Sequence, residues 1–304
     1  MKRMLKRRTF VATLGAAAVS AAAETSALPE SLKVKFVGSG SACWEKEPRT
    51  SKIFRRYSSV LVDGRFLIDY TWMGADMLPP GFVPEAIVYT HSHPDHYDAK
   101  AAVKLGVRHV YLQRGWLADA QADFAKAVEA VGGTAPEIHP LDLFKPFRVC
   151  DCELLPLPGN HWTGKPHEQA LIYTVKKACR GGNVRLLYAT DTSGIMSQAF
   201  FGGGMSRKNP ITAAIMEATG QPGRKFDGMR ISHSTADTVN EIFTSWLKPG
   251  EPGKRAYTPN PGQKVWLTHI GYYEWGQNTF EDRLPPGLAV AHDGLELEFR
   301  PYGA

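Results

Sequence analysis

The sequence predicts an α/β protein built as a four-layer αββα sandwich, with two β-sheets face to face and helices outside each. Three observations carry this. The chain has 304 residues, 43% of them apolar, enough to bury a sizeable core. Its apolar runs are short, and strand-like stretches are interleaved with helical ones. The strand-like runs fall into two halves, each with helices of its own, and packing such halves together gives layered sheets.

Taken in order, "KVKFVG" (33–38) is a strand. "SSVLVDG" and "RFLIDY" form a hairpin turned at Asp63-Gly64, a pair suited to left-handed backbone. "PEAIVYT" is a buried strand, "YDAKAAVKLG" a short helix closed by Gly106, and "RHVYLQ" a further strand. "WLADAQADFAKAVEAVGG" is a helix with a Gly-Gly stop. "CELLPLPGNH", "QALIYTVKK" and "NVRLLYATD" are strands, the last two joined by a hairpin at Arg180-Gly181-Gly182-Asn183. "ITAAIMEAT" is a strand, and "TADTVNEIFTSWLK" a helix capped by Thr235 or Ser234. "KVWLTHI" is a strand, and "LAVAHDGLELEF" a closing hairpin around Asp293-Gly294. "FFGGGMSRKNP" (200–210) reads as a surface loop, with a mobile flap as the alternative.

Residues 1–27 stand apart. Lys2, Arg3, Lys6, Arg7 and Arg8 precede an apolar run of small residues from Phe10 to Ala23, the pattern of a removable signal peptide. Arg7-Arg8 followed by Thr-Phe-Val resembles a twin-arginine signal, which directs export of proteins already folded. Cleavage is expected after Ala23 or after Ala27, leaving 28–304 as a single periplasmic or secreted domain, with the twin-arginine machinery as its export partner. Losing residues 1–23 removes five of 36 basic residues and none of 30 acidic ones. The mature chain is then near neutral, and its precursor's basic character does not imply a nucleic-acid partner. No other stretch is long and apolar enough to span a membrane. Cys43, Cys150, Cys152 and Cys179 lack the paired spacing of a zinc knuckle, and both a disulfide and buried thiols stay open.

"YTHSHPDHYD" (89–98) crowds His91, His93, Asp95 and His96 into six residues. Residues two apart on an extended strand point the same way, so His91 and His93 can grip one ion. Pro94 then turns the chain, and Asp95 and His96 open a helix and hold a second. Imidazole and carboxylate are ligands for zinc, manganese or iron. Three further ligands end apolar runs: His161 after "LLPLPGN", Asp191 after "RLLYAT" and His269 after "KVWLT". A strand that delivers a polar group at its tip sets it on a rigid base.

This pattern, "HSHPDH" followed by His161, Asp191 and His269, resembles the metallo-β-lactamase superfamily over nearly the whole mature chain. The resemblance implies that fold. It implies a first metal on His91, His93 and His161, a second on Asp95, His96 and His269, and Asp191 bridging both. The absence of any cysteine after Cys179 excludes the β-lactamases that use a cysteine ligand, and the others lack the bridging aspartate. "GMRISHSTADTVNEIF" places His233 ahead of a helix, as in ribonuclease Z and the cyclic phosphodiesterase of phosphonate breakdown. In that branch such a histidine assists the leaving group. Ribonuclease Z carries a long tRNA arm between the positions of His161 and Asp191, whereas here there is room only for a hairpin. The cysteine-rich zinc motif common in the cyclic phosphodiesterases is reduced to Cys43.

The expected function is therefore an exported hydrolase with two divalent ions, zinc first and manganese or iron as alternatives. A metal-bridging hydroxide would attack a phosphodiester or cyclic phosphate ester, with Asp95 and His233 as catalytic residues. The substrate is expected to be small and anionic, no stable nucleic-acid partner is expected, and a homodimer stays open. Two rivals remain. One is a lactone or carboxylic-ester hydrolase in which Tyr97, Tyr272 or Tyr273 assists the carbonyl oxygen. The other is a non-catalytic metal or redox module, including a diiron centre. Arg49, Lys52, Arg55 and Arg56 could line an anionic path, although a solvated edge is the commoner outcome. Trp44, Trp72 and Trp162 could stack on a base or sugar, although most such residues pack.

Overall fold

A computed structural model describes the protein over residues 28–223, 232–246, 256–275 and 281–303. The signal segment at 1–27, with Arg7, Arg8 and its cleavage points, lies outside these residues, as do Leu247 and Lys248 at the end of the predicted third helix. The strands in the described residues are β1 (Leu32–Gly38), β2 (Ser59–Val62), β3 (Phe66–Ile68), β4 (Ala86–Val88), β5 (His109–Gln113), β6 (Glu137–Leu141), β7 (Phe147–Val149), β8 (Cys152–Pro158), β9 (Leu171–Cys179), β10 (Gly182–Ala189), β11 (Ala213–Glu217), β12 (Val265–Thr268), β13 (Leu288–Val290) and β14 (Glu296–Phe299). The helices are α1 (Ala99–Leu105), α2 (Leu117–Val131), α3 (Ser197–Gly202), α4 (Ala236–Trp246) and α5 (Tyr272–Trp275).

These strands form two seven-stranded sheets, ordered β14-β1-β2-β3-β4-β5-β6 and β13-β12-β11-β10-β9-β8-β7. The predicted sandwich is what results. Alternate residues of one strand enter different cores. Ala86 and Val88 of β4 face the layer between the sheets, where they join Tyr173, Leu186 and Ile215. Ile87 between them faces Ala102 of α1 and Phe124 of α2. Leu186 and Tyr188 of β10 likewise face inward, and Leu187 joins Val239 and Phe243 of α4. Burial on both faces explains why these strands read as continuous apolar runs. Each such Val, Leu or Ile side chain stabilises the fold by roughly 1.5–3 kcal/mol.

β3 to β6 run parallel, as do β10 to β13. Their C-terminal ends therefore gather along one rim, the place where open α/β sheets build sites. At the start of that rim Gly38 is pressed onto the neighbouring chain: a Cβ there would lie 1.9 Å from the Tyr57 carbonyl oxygen.

The predicted hairpins at Asp63-Gly64 and Arg180-Gly181 are present, with Val62 paired to Phe66 and Cys179 to Gly182. Two expectations need correction. The segment 288–299 is no hairpin: β13 pairs with β12, whereas β14 crosses to the other sheet and pairs with β1. Asp95 and His96 open no helix. They lie in a turn in which the His96 and Tyr97 amides donate to the His93 carbonyl, and α1 starts at Ala99 with Asp98 as its cap. The segment 200–210 is largely exposed, as expected of a surface loop, although its first residues close α3 and its Met205 is buried. Between 133 and 152, where no element was expected, the chain forms two strands, β6 and β7. All four cysteines are free, with Cys152 and Cys179 buried. No helix among the described residues is long and apolar enough to cross a membrane.

Candidate metal centre

All seven predicted ligands meet at the rim, in two groups that share one aspartate. His91, His93, His161 and Asp191 bring one ligand atom each to within 4.8 Å of one another. Asp95, His96, Asp191 and His269 do the same. Asp191 Oδ2 lies 2.9 Å from His91 Nε2 and 3.1 Å from His96 Nε2, and Asp191 Oδ1 lies 2.9 Å from His269 Nε2. Yet His91 Nε2, His96 Nε2 and Asp191 Oδ1 are buried without an aligned hydrogen bond. Buried polar atoms rarely stay unsatisfied. Atoms that converge at these distances without bonding one another are arranged as ligands around a common point, and three imidazoles or two imidazoles with a carboxylate on each side of Asp191 fit divalent ions of the zinc type.

The second nitrogen of most of these rings is already engaged, which fixes the nitrogen left for an ion. His96 Nδ1 donates to Asp69 Oδ2 at 2.7 Å, His161 Nδ1 donates to the Ser232 carbonyl at 2.9 Å, His91 Nδ1 lies 3.0 Å from Thr90 Oγ1, and His269 Nδ1 lies 2.9 Å from Thr219 Oγ1. His93 instead presents Nδ1, 3.1 Å from His161 Nε2. Ser92 is tied down between the two leading histidines: its amide and hydroxyl both donate to Glu168, each at 2.6 Å.

The backbone is strained where the strands hand over their ligands. Asp69, Asp191 and His269 all have left-handed φ, at 58°, 46° and 53°. Asp and His tolerate that region better than most residues, but it still costs of order 1–3 kcal/mol each and persists only where the surroundings hold it.

The electrostatics divide the rings. Burial pushes the pKa of His91 down to about 3, so it is neutral and ready to ligate. Burial also opposes charge on His269, but Asp191 and Asp95 outweigh it and raise its pKa to about 10. His96 is raised in the same way by Asp191, Asp95 and Asp69. The carboxylates thus favour protons on these two rings, and an ion bound there competes with protons.

His233 stands at the edge of the centre. Its Nδ1 lies 3.1 Å from Glu217 Oε2, 3.3 Å from Thr219 Oγ1 and 3.4 Å from Asp191 Oδ1. It does not cap α4. Thr235 does so, through the Thr238 amide, while Ser234 ties Thr192 to Gly194. A cleft of about 330 Å³ opens over the centre, lined by His93, Asp95, His233, His269, Tyr272 and Tyr273.

Other predicted contributors lie elsewhere. Tyr97 packs against Tyr89 and Trp116, outside the cleft. Arg49 and Arg56 pair with Asp76, and Arg55 donates to Ser39 and the Ala291 carbonyl, so these arginines brace the fold. Trp44 is buried and bonds the Ile270 carbonyl, whereas Trp72 and Trp162 are exposed.

Asp69, Glu217, Thr90, Thr219 and Glu168 were not anticipated. The signal for the first two was present: Asp69 ends "RFLI" and Glu217 ends "AAIM", each a polar residue at the tip of an apolar run. Asp69→Asn should weaken ion binding at His96 by about 10–100-fold, because the carboxylate that orients the ring is lost. Competition with a chelator measures this, and unchanged affinity would leave Asp69 a purely structural residue.

A shared-carboxylate pair of ligand groups at the rim of an αββα sandwich defines a class of metal-dependent proteins. The chain belongs to the β-lactamase superfamily, a hydrolase family: the model of the beta-lactamase superfamily domain matches residues 77–246. Six of the seven ligands fall within that match, and the fold adds His269. No curated protein matches the chain. Among solved structures it is similar to short-form human tRNase Z, at 15% identity and a TM-score of 0.58 over 88% of this chain and 100% of that one. Zinc-bound PqqB from Methylobacterium extorquens follows at 17% identity and 0.56 over 87% and 99%. Unliganded yeast PDE1 stands at 10% identity and 0.55 over 88% and 99%.

Proposed function

We propose that the protein is an exported hydrolase of phosphodiesters or cyclic phosphate esters, working with two divalent ions, zinc first. One observation carries the reading: the buried Glu217 carboxylate holds His233 Nδ1 beside Asp191, at the wall of the cleft. Ions bound at the two ligand groups supply Lewis acidity and a water acidified toward neutrality. The chain's own residues supply the rest. Asp191 keeps the two groups in register, and Asp95 and His269 line the second. His233 keeps its Nδ1 proton on Glu217, which leaves Nε2 to protonate the departing oxygen. Burial works against its charged form, but Glu217 and Asp191 outweigh this and raise its pKa above the ordinary value. A ring of that kind holds a transferable proton near neutrality. Lys46 bonds the hydroxyl of Tyr273, a residue of the cleft wall. Between His161 and Asp191 the chain forms a loop at 162–170 and the β9–β10 hairpin, with no room for a long arm.

A second reading, lactone or carboxylic-ester hydrolysis, is favoured by Tyr272 and Tyr273 in the cleft. Rates on bis-p-nitrophenyl phosphate and on a simple lactone, at equal ion content, separate the two. Faster phosphodiester cleavage is expected, and a lactone rate far above it would overturn the proposal. An absorption spectrum of fresh protein separates iron from zinc. Export is tested by replacing Arg7 and Arg8 with lysine, which should strand the precursor in the cytoplasm. Normal processing of that variant would assign the general secretory route instead.

A further inference from the structure

We propose a second metal site, separate from the catalytic centre, formed by His109, Glu137 and His139 for a divalent ion of the zinc type. It follows from strand register. Glu137 and His139 are two apart on β6 and share a face. β5 runs parallel beside it, with His109 paired to Glu137 and Tyr111 to His139. The three side chains therefore converge at the edge of the first sheet.

The distances suit one ion. His109 Nδ1 lies 3.1 Å from His139 Nε2 and 3.5 Å from Glu137 Oε2, and His139 Nε2 lies 3.8 Å from Glu137 Oε1. Two nitrogens bound tetrahedrally to zinc stand about 3.3 Å apart, so shifts of a few tenths of an ångström admit the ion. Two imidazoles and a carboxylate select zinc, copper or nickel over magnesium or calcium. The His139 ring is held in plane by stacking on Tyr111, with centroids 4.6 Å apart, and Tyr111 stacks in turn on Phe147. The side chains of His109, Glu137 and His139 are 43%, 66% and 31% exposed, which leaves a path for the ion and room for water as the fourth ligand.

The site is remote from the cleft. Val110 pairs with Ile87, four residues before His91, so His109 lies roughly 16 Å down the strand direction from the catalytic cluster. The proposal does not depend on the reaction the catalytic centre performs.

Zinc content of the full chain, dialysed to saturation in Zn²⁺, is compared between wild type and His109→Ala/His139→Ala. The wild type should hold one more ion per chain, whatever the catalytic centre holds, with hydrolysis unchanged between the two. Zn²⁺ should also raise the melting temperature of the wild type beyond any rise in the variant. The conservative Glu137→Gln variant touches neither ring and should weaken the extra ion's binding. Equal zinc content in wild type and double variant would overturn the proposal, the two imidazoles then being only hydrogen-bonded to each other. Unaltered zinc affinity in Glu137→Gln would remove the carboxylate from the site and overturn the three-ligand assignment.

Discussion

Asp191→Asn should bring hydrolysis to background and lower the ion content from two per chain to about one. Asp191 is the one residue common to both ligand groups, with oxygens 2.9 Å from His91, 3.1 Å from His96 and 2.9 Å from His269. Asparagine keeps the shape but offers one acceptor oxygen and a donor NH₂, so it cannot bridge two cations. The group His91, His93 and His161 keeps three imidazoles, a set that holds zinc by itself. The group Asp95, His96 and His269 loses one of its two anions and should empty first. The measurement is metal content by mass analysis beside the rate on bis-p-nitrophenyl phosphate. A variant with two ions and near wild-type turnover would show that Asp191 does not bridge.

His233→Ala should keep the fold and both ions, and lose about 10²–10⁴-fold in rate on a substrate with an alkyl leaving group. Were His233 a ligand, its removal would cost an ion. Were it a helix cap, removal would cost about 1 kcal/mol of stability, but Thr235 fills that role. In the proposed reaction the ring held by Glu217 delivers a proton to the departing oxygen. That work matters little when the leaving group is stable as an anion. The loss should therefore shrink for a p-nitrophenyl ester. Equal losses on both substrates would mean that His233 positions the substrate, and unchanged rates would mean that it only packs.

The local part of the centre was legible because its ligands are adjacent in the chain: His91, His93, Asp95 and His96 announce themselves by composition. His161, Asp191 and His269 were legible because each breaks an apolar run. Asp69 and Glu217 obey the same rule but pass for ordinary turn acids, as Asp191 would have done without the cluster and the family pattern it completes. β6 escaped notice because "PEIHPL" carries two prolines, and its pairing is imposed by β5. Asp293-Gly294 has the composition of a hairpin turn, yet competition decides otherwise. β12 claims β13 on one side, β1 claims β14 on the other, and the Asp293 carboxylate accepts from Ser39 and the Arg56 amide to fix the crossing. Such competition between distant partners leaves no mark on the local pattern.

The crossing of the last strand also has a consequence for the order of assembly. β1 is synthesised long before its outer neighbour β14. Until residues 296–299 arrive, β1 is an open edge that invites pairing with another chain. Contacts of that sequence separation are slow to form, because the long loop must close before they stabilise anything. The ligands span 91 to 269 in the same way. The nascent chain can hold the tight cluster at 91–96 early, but it cannot assemble both ligand groups until His269 has been made. A filled centre thus reports that strands from both halves of the chain, from β4 to β12, have come together.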